Sequence, residues 1–233
     1  MRVLVIAAHP DDEVLGAGAT IAALTARGVE VTVLIVAEGV SLRHDGVTLA
    51  EARALCHKAS SVLGVTDVRF GGLAVDGLLP GDGPQRVVVG LVEQTIRDVA
   101  PQVVYSHHPG DVHVDHRMIA QAVTYATRLM AMRSVVQVLH FEVPSSTEQQ
   151  TGLIAPFEPD VFHDITPYVD LKCEALETYR YEVYDAPHPR SPHGVRALAA
   201  YRGTQVGVFA AEAFVLGRQF TDFSGRGAVS CVS

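Results

Sequence analysis

The chain is short of positive charge: 18 lysines and arginines stand against 26 aspartates and glutamates, a formal net charge of −8 over 233 residues. Affinity for nucleic acid comes largely from clustered Lys and Arg that neutralise phosphates, so no nucleic-acid partner is expected, and an anionic membrane surface is disfavoured on the same ground. Cysteine is scarce too. Cys56, Cys173 and Cys231 are odd in number and widely spaced, and no Cys-x-x-Cys zinc or redox motif exists, so they read as reduced structural thiols. Long apolar runs are missing: the opening run Val3-Leu4-Val5-Ile6-Ala7 is far too short to span a membrane. Signal cleavage would remove His9, singled out below, so the expectation is a mature cytoplasmic protein. A Gly-x-Ser-x-Gly elbow is absent, which counts against a serine hydrolase, and no linker, internal repeat or low-complexity tract interrupts the chain.

What is present suits a soluble enzyme. With 48% hydrophobic and 19% charged residues the chain can bury a full core, most economically as one domain over 1–233. Strand and helix patterns alternate: strand Arg2–Ala7 leads to helix Glu13–Arg27, strand Glu30–Ala37 to helix Thr48–Leu63, strand Asp67–Phe70 to helix Pro84–Val99, and strand Val103–Ser106 to helix His116–Leu129. Such alternation predicts parallel strands with right-handed crossovers, hence an α/β fold: a three-layer α/β/α sandwich around a mostly parallel, Rossmann-like sheet. A strand over Val135–Val143 is expected to complete the sheet. Residues 145–233 read as a less regular rim and C-terminal part, with a polar stretch Ser145–Pro159, a short strand Val161–Ile165 and a helix Leu171–Tyr181.

Chemistry is concentrated where two of these strands end. Ala8-His9-Pro10-Asp11-Asp12-Glu13 follows the first strand, and Gly110-Asp111-Val112-His113-Val114-Asp115-His116 follows the fourth. Ligands gather outside the carboxyl ends of strands in open α/β sheets, so both loops lie where chemistry is expected. The acidic residues also have a plainer role, since carboxylates in a first helical turn complement the helix dipole. A dinucleotide is disfavoured there, because a pyrophosphate needs glycines and bare N–H groups, whereas this loop offers two carboxylates and a proline. Gly16-Ala17-Gly18 comes too late and reads as close helix-to-sheet packing. Catalytic zinc takes three protein ligands from His and carboxylate and keeps a fourth position for water. His9 and Asp12, three residues apart at a turn entering a helix, can face one ion, and His116 can complete the set from the neighbouring loop.

The pairing of Ala-His-Pro-Asp-Asp-Glu with His-x-Asp-His about a hundred residues later resembles the LmbE-like (PIG-L) family of zinc-dependent N-acetylglucosaminyl deacetylases. The likeness extends through His108-Pro109-Gly110-Asp111, Phe141 to Glu148, His188-Pro189-Arg190-Ser191 and Ala211-Glu212-Ala213-Phe214. The resemblance implies His9, Asp12 and His116 as ligands of zinc, or of another divalent ion such as Fe2+, and Asp11 as general base. It also implies that His113 meets the developing oxyanion, with Asp115 orienting that ring and favouring its protonated form. Arg43, Asp76 and Arg190 are the expected substrate contacts, although Gly72 to Gly77 lacks the Asn-Arg often found at that place in the family.

The activity so implied is hydrolytic removal of the acetyl group from an N-acetylglucosamine-type unit of a small glycoconjugate. Its partner is a small amino-sugar substrate, and a homo-oligomer is compatible with it. Two other readings fit the same residues: a metal hydrolase of another amide or ester, and a non-catalytic metal- or sugar-binding domain. Asp11 favours catalysis, since a binding site needs no unligated carboxylate beside the metal. His107 and His108 point to opposite faces of a strand, so at most one looks into the site. Ser145 and Ser146 read as rim or turn residues.

Overall fold

The computed structural model describes residues 1–38, 46–73, 82–130, 132–152 and 155–223. Seven strands form one sheet in the order β3-β2-β1-β4-β5-β7-β6. They are β1 (Arg2–Ala7), β2 (Glu30–Ala37), β3 (Asp67–Leu73), β4 (Val103–His107), β5 (Gln137–Phe141), β6 (Val161–Asp164) and β7 (Ala211–Gln219). The first five pair in parallel, while β7 runs antiparallel to both β5 and β6. Helices α1 (Asp12–Thr25), α2 (Leu49–Val62), α3 (Asp82–Val99) and α4 (Val114–Ala126) connect the parallel strands, and α5 (Val169–Thr178) and α6 (Pro192–Thr204) follow β6.

The continuous apolar run of β1 is what a central strand covered on both faces requires. Its side chains alternate: Val3, Val5 and Ala7 join a core with α1, α2 and α5, whereas Leu4, Ile6 and Ala8 join a second core with α3 and α4. These two cores are the interfaces of the three-layer sandwich. Helix α2 starts at the capping box Thr48–Glu51, in which Thr48 Oγ1 accepts from the Glu51 N–H at 3.2 Å and Glu51 Oε2 accepts from the Thr48 N–H at 2.9 Å.

Two differences from the sequence reading stand out. β5 does not complete the sheet, because β7 and β6 extend it, and the less regular region adds β7 and α6 to the strand and helix expected there. In addition, α1 is broken at Ala17 (φ −144°, ψ 16°). A buried ion pair sits in the break: Lys172 Nζ donates to the Leu15 carbonyl at 2.8 Å and to Glu212 Oε1 at 2.6 Å, while the Glu212 carboxylate accepts from Ala19 N–H and Thr20 N–H at 3.1 and 2.7 Å. One charge thus caps the carboxyl end of the first segment and the other the amino end of the second, each with the sign that end favours. Gly16 lies against the Phe141 ring, where a Cβ would come within 2.2 Å of Cδ2, so the small-residue run does serve close packing.

The strand order reverses between β1 and β4. From β1 the chain builds outward to β2 and β3, and from β4 outward to β5, so the loops leaving β1 and β4 diverge and open a crevice between them. Both chemical motifs stand at its lip.

Candidate active site

The β1 loop turns sharply because Asp12 Oδ2 accepts the His9 N–H at 2.9 Å, and it enters α1 through Asp11, whose φ of 102° is unusual for a residue with a Cβ. The β4 loop enters α4 through His113, whose Nδ1 accepts the Asp115 N–H at 3.2 Å, placing His116 in the first turn. The two loops meet at one carboxylate oxygen. Asp12 Oδ2 lies 3.4 Å from His9 Nδ1 and 3.2 Å from His116 Nε2. Donors each about 2.0–2.1 Å from a tetrahedral zinc lie about 3.3 Å apart, so these separations fit a shared ion.

His107 reaches the same cluster from β4, stacked on His116 at 4.0 Å, and together with Asp12 and His116 it forms a three-donor group within 4.8 Å. Its Nε2, however, accepts the Ala8 N–H at 2.8 Å, so that lone pair is already committed. His9, His113 and His116 form a second such group. There the His113 Nδ1 is occupied by the Asp115 N–H, which leaves the ring proton on Nε2. His108 points away from the cluster, edge-on to Phe157.

Each histidine expected to bind metal has a carboxylate on its far nitrogen. His9 Nε2 donates to Asp115 Oδ2 at 2.8 Å, and His116 Nδ1 lies 3.1 Å from Asp111 Oδ2. Such outer carboxylates fix the tautomer and raise ligand basicity. Asp111 is in turn held by Ser146 Oγ at 2.5 Å, Thr147 Oγ1 at 2.6 Å and the His113 N–H at 2.7 Å. Asp115, expected to orient His113, meets that ring through its backbone N–H, while its carboxylate bonds His9 and stands 4.0 Å from His113 Nδ1. Burial, with the neighbouring His116 and His9, lowers the His113 ring to about 4, the opposite direction to the protonated ring expected from sequence.

Electrostatics separate the two adjacent aspartates. Burial works to raise both carboxyls, but the His116 and His107 rings hold Asp12 well below the usual range. At Asp11 burial outweighs the nearby Arg190, and the charges of Asp12, Glu182 and Glu13 push the same way as burial, leaving it raised. Burial opposes a charge on His116, yet Asp12 and Asp111 bring it up to about 9. Asp12 is thereby kept charged, whereas Asp11 holds a proton more readily than an ordinary carboxyl.

Arg190, expected as a substrate contact, is engaged by protein groups: Nη1 donates to Asp11 Oδ2 at 2.9 Å and to Glu182 Oε2 at 3.2 Å, and Nε donates to Ser145 Oγ at 2.8 Å. Ser145 thus supports Arg190, which reaches Asp11, and Ser146 supports Asp111. Arg43 and Asp76 lie outside the described residues. Sequence reading missed Asp111 as a site residue and gave Glu13 no partner; the spacing Asp111-x-His113-x-Asp115 was the available signal for the former. Cys56 and Cys173 are free and buried.

A mostly parallel sheet with histidines and aspartates converging at its switch point defines an α/β protein with side chains grouped as a metal ion would need them. The PIG-L family, described as GlcNAc-PI de-N-acetylase, matches residues 4–127, a span that takes in both loops, and the chain belongs to that family. It is 34% identical over 183 residues to a 1D-myo-inositol 2-acetamido-2-deoxy-α-D-glucopyranoside deacetylase of Actinosynnema mirum, the match covering 65% of this chain and 62% of that one. A probable N-acetyl-α-D-glucosaminyl L-malate deacetylase 2 of Bacillus cereus is 30% identical over 77% of this chain and 82% of its own length. A solved structure, a conserved protein from Thermus thermophilus, superposes with a TM-score of 0.76 at 25% identity, covering 97% of this chain and 99% of that one. Among the described residues no helix is long and apolar enough to cross a membrane.

Proposed function

We propose that the protein hydrolyses the acetamide of an N-acetylglucosamine-type unit in a small glycoconjugate, releasing acetate and a free amine. The observation that carries this reading is the pairing at Asp11 and Asp12. One carboxylate is 3.4 and 3.2 Å from two imidazole nitrogens, and its neighbour in sequence turns instead to Arg190, 2.9 Å away. A binding site would need only the first. The deacetylase names of the relatives support the substrate class.

His9, Asp12 and His116 would hold one divalent ion, zinc by default and iron(II) as the alternative. Such an ion supplies a Lewis acid and lowers the pKa of bound water from about 15.7 to about 7. Asp11 takes the proton of the attacking water and returns it to the departing nitrogen, a role worth roughly 10²–10⁴ in rate. His113, neutral with its proton on Nε2, donates to the carbonyl oxygen as charge develops there, a contribution on the order of 10²–10³. Asp115 and Asp111 keep the two ligand rings in place.

The test is to incubate the purified, metal-analysed protein with a panel of N-acetylhexosamine conjugates and to measure amine and acetate in equal amounts, with and without a chelator. Chelator-sensitive release from at least one conjugate is expected. Protein carrying about one ion per chain that releases no amine from any of them would overturn the reading.

A further inference from the structure

The residue after the two aspartates has no part in the chemistry above, yet Glu13 is as deeply buried as they are, at 1% exposure. A carboxylate placed there only for the helix dipole would gain the same benefit at the surface. Instead both oxygens are committed. Glu13 Oε2 accepts the Asp11 N–H at 3.1 Å, and Oε1 accepts the hydroxyl of Tyr179, the buried residue that ends α5.

Following the bonds onward closes a circuit. The Tyr179 carbonyl accepts the Glu182 N–H at 2.7 Å, the Glu182 carboxylate accepts from Arg190 Nη1 at 3.2 Å, and the same Nη1 donates to Asp11 Oδ2 at 2.9 Å. Asp11 is therefore gripped by its backbone N–H at one end and its carboxylate at the other. Its φ of 102° explains why two grips are present, since that conformation is disfavoured for any residue with a Cβ and persists only where the surroundings over-determine it.

We infer that Glu13 and Tyr179 are positioning residues, which hold the Asp11 backbone in the conformation that delivers its carboxylate to Arg190 and the site. The inference rests on the reading of Asp11 as the proton-transfer group. Neither residue touches substrate; both act through Asp11. Glutamate suits the task because its two oxygens accept from two directions at once.

The test compares Glu13→Ala, Glu13→Gln and Tyr179→Phe in zinc-loaded protein, reading kcat, KM, metal content and amide hydrogen exchange at Asp11. In Glu13→Ala, kcat is expected to fall at least tenfold with KM and metal content within twofold, and the Asp11 amide to exchange at least tenfold faster. Tyr179→Phe, which removes one oxygen and keeps the ring, should fall between this variant and wild type. Glu13→Gln should recover most of the lost kcat, because its carbonyl still accepts the Asp11 N–H and its amide can donate to the Tyr179 oxygen. Unchanged exchange in both Glu13→Ala and Tyr179→Phe overturns the inference, as does faster exchange with undiminished kcat. If Glu13→Ala does not fold, Tyr179→Phe decides alone. A wild type that releases no amine defeats the deacetylase reading, while exchange at Asp11 still tells whether Glu13 and Tyr179 hold it.

Discussion

His9 donates its Nε2 proton to Asp115 Oδ2 at 2.8 Å, across the crevice from one motif loop to the other. That contact makes Asp115 a support of the His9 ring. Outer-shell carboxylates of this kind change metal affinity by roughly 10–100-fold when lost. Asp115→Ala is therefore expected to weaken zinc binding by about that factor, measured by competition with a chromophoric chelator. A variant with wild-type affinity but reduced kcat would return Asp115 to the role of orienting His113.

The two adjacent aspartates should separate cleanly. Asp12→Ala removes the oxygen shared by His9 and His116 and should abolish tight binding of one ion per chain. Asp11→Asn should keep the metal and lower kcat by roughly 10²–10⁴ with little change in KM. His113→Ala belongs with the second class, expected to keep the metal and lose on the order of 10²–10³ in kcat. Loss of metal in Asp11→Asn, checked by elemental analysis of folded protein, would make Asp11 a ligand instead.

The parallel half of the fold was legible because β1 and β2 are apolar runs and α2 opens on a start signal at Thr48 and Glu51. The two site loops were legible because consecutive residues carry the chemistry. β7 was not. Its sequence Ala211 to Gln219 mixes Glu212, Gly217 and Arg218 into the run, and Glu212 is buried only because Lys172, forty residues earlier, neutralises it. No local pattern announces such a partner. α6 did have a signal that went unread: Ser191 before Pro192 is a capping residue followed by proline at the first helical position, and Ser191 Oγ accepts the Gly194 N–H at 3.0 Å. Arg190 was found, but its partner Asp11 lies 179 positions away, and only the folded chain could pair them.

The Lys172–Glu212 ion pair at the break in α1 should dominate stability locally. Leaving one member of a buried pair without the other costs roughly 3–5 kcal/mol. Lys172→Met is expected to destabilise by about that much, because the Leu15 carbonyl and the Glu212 carboxylate both lose a donor. The double variant Lys172→Met, Glu212→Gln should recover part of the loss, since a neutral amide still offers an oxygen to Ala19 N–H or Thr20 N–H and leaves no unpaired charge. Urea unfolding of the set checks this. Additive losses in the double variant would show that the two side chains act independently.

Acid sensitivity has a contribution from outside the metal cluster. His108 is buried against Phe157, and its Nδ1 accepts the Gly110 N–H at 3.1 Å, which requires an unprotonated nitrogen. Burial, with nearby His140, lowers the ring to about 4. In the unfolded chain the same histidine titrates near 6.5. Above that value both states are neutral and the full contribution is present. As pH falls from about 6.5 to about 4 the unfolded chain takes up a proton that the folded one refuses, and stability declines by at most about 1.4 kcal/mol per pH unit for this one group. Below about 4 the folded state binds the proton too and the decline from this group stops. His108→Asn keeps an oxygen for the Gly110 N–H and removes the titration. Urea unfolding at pH 7 and pH 5 should therefore show wild type losing more stability than His108→Asn, and equal losses would show that His108 is not the group responsible.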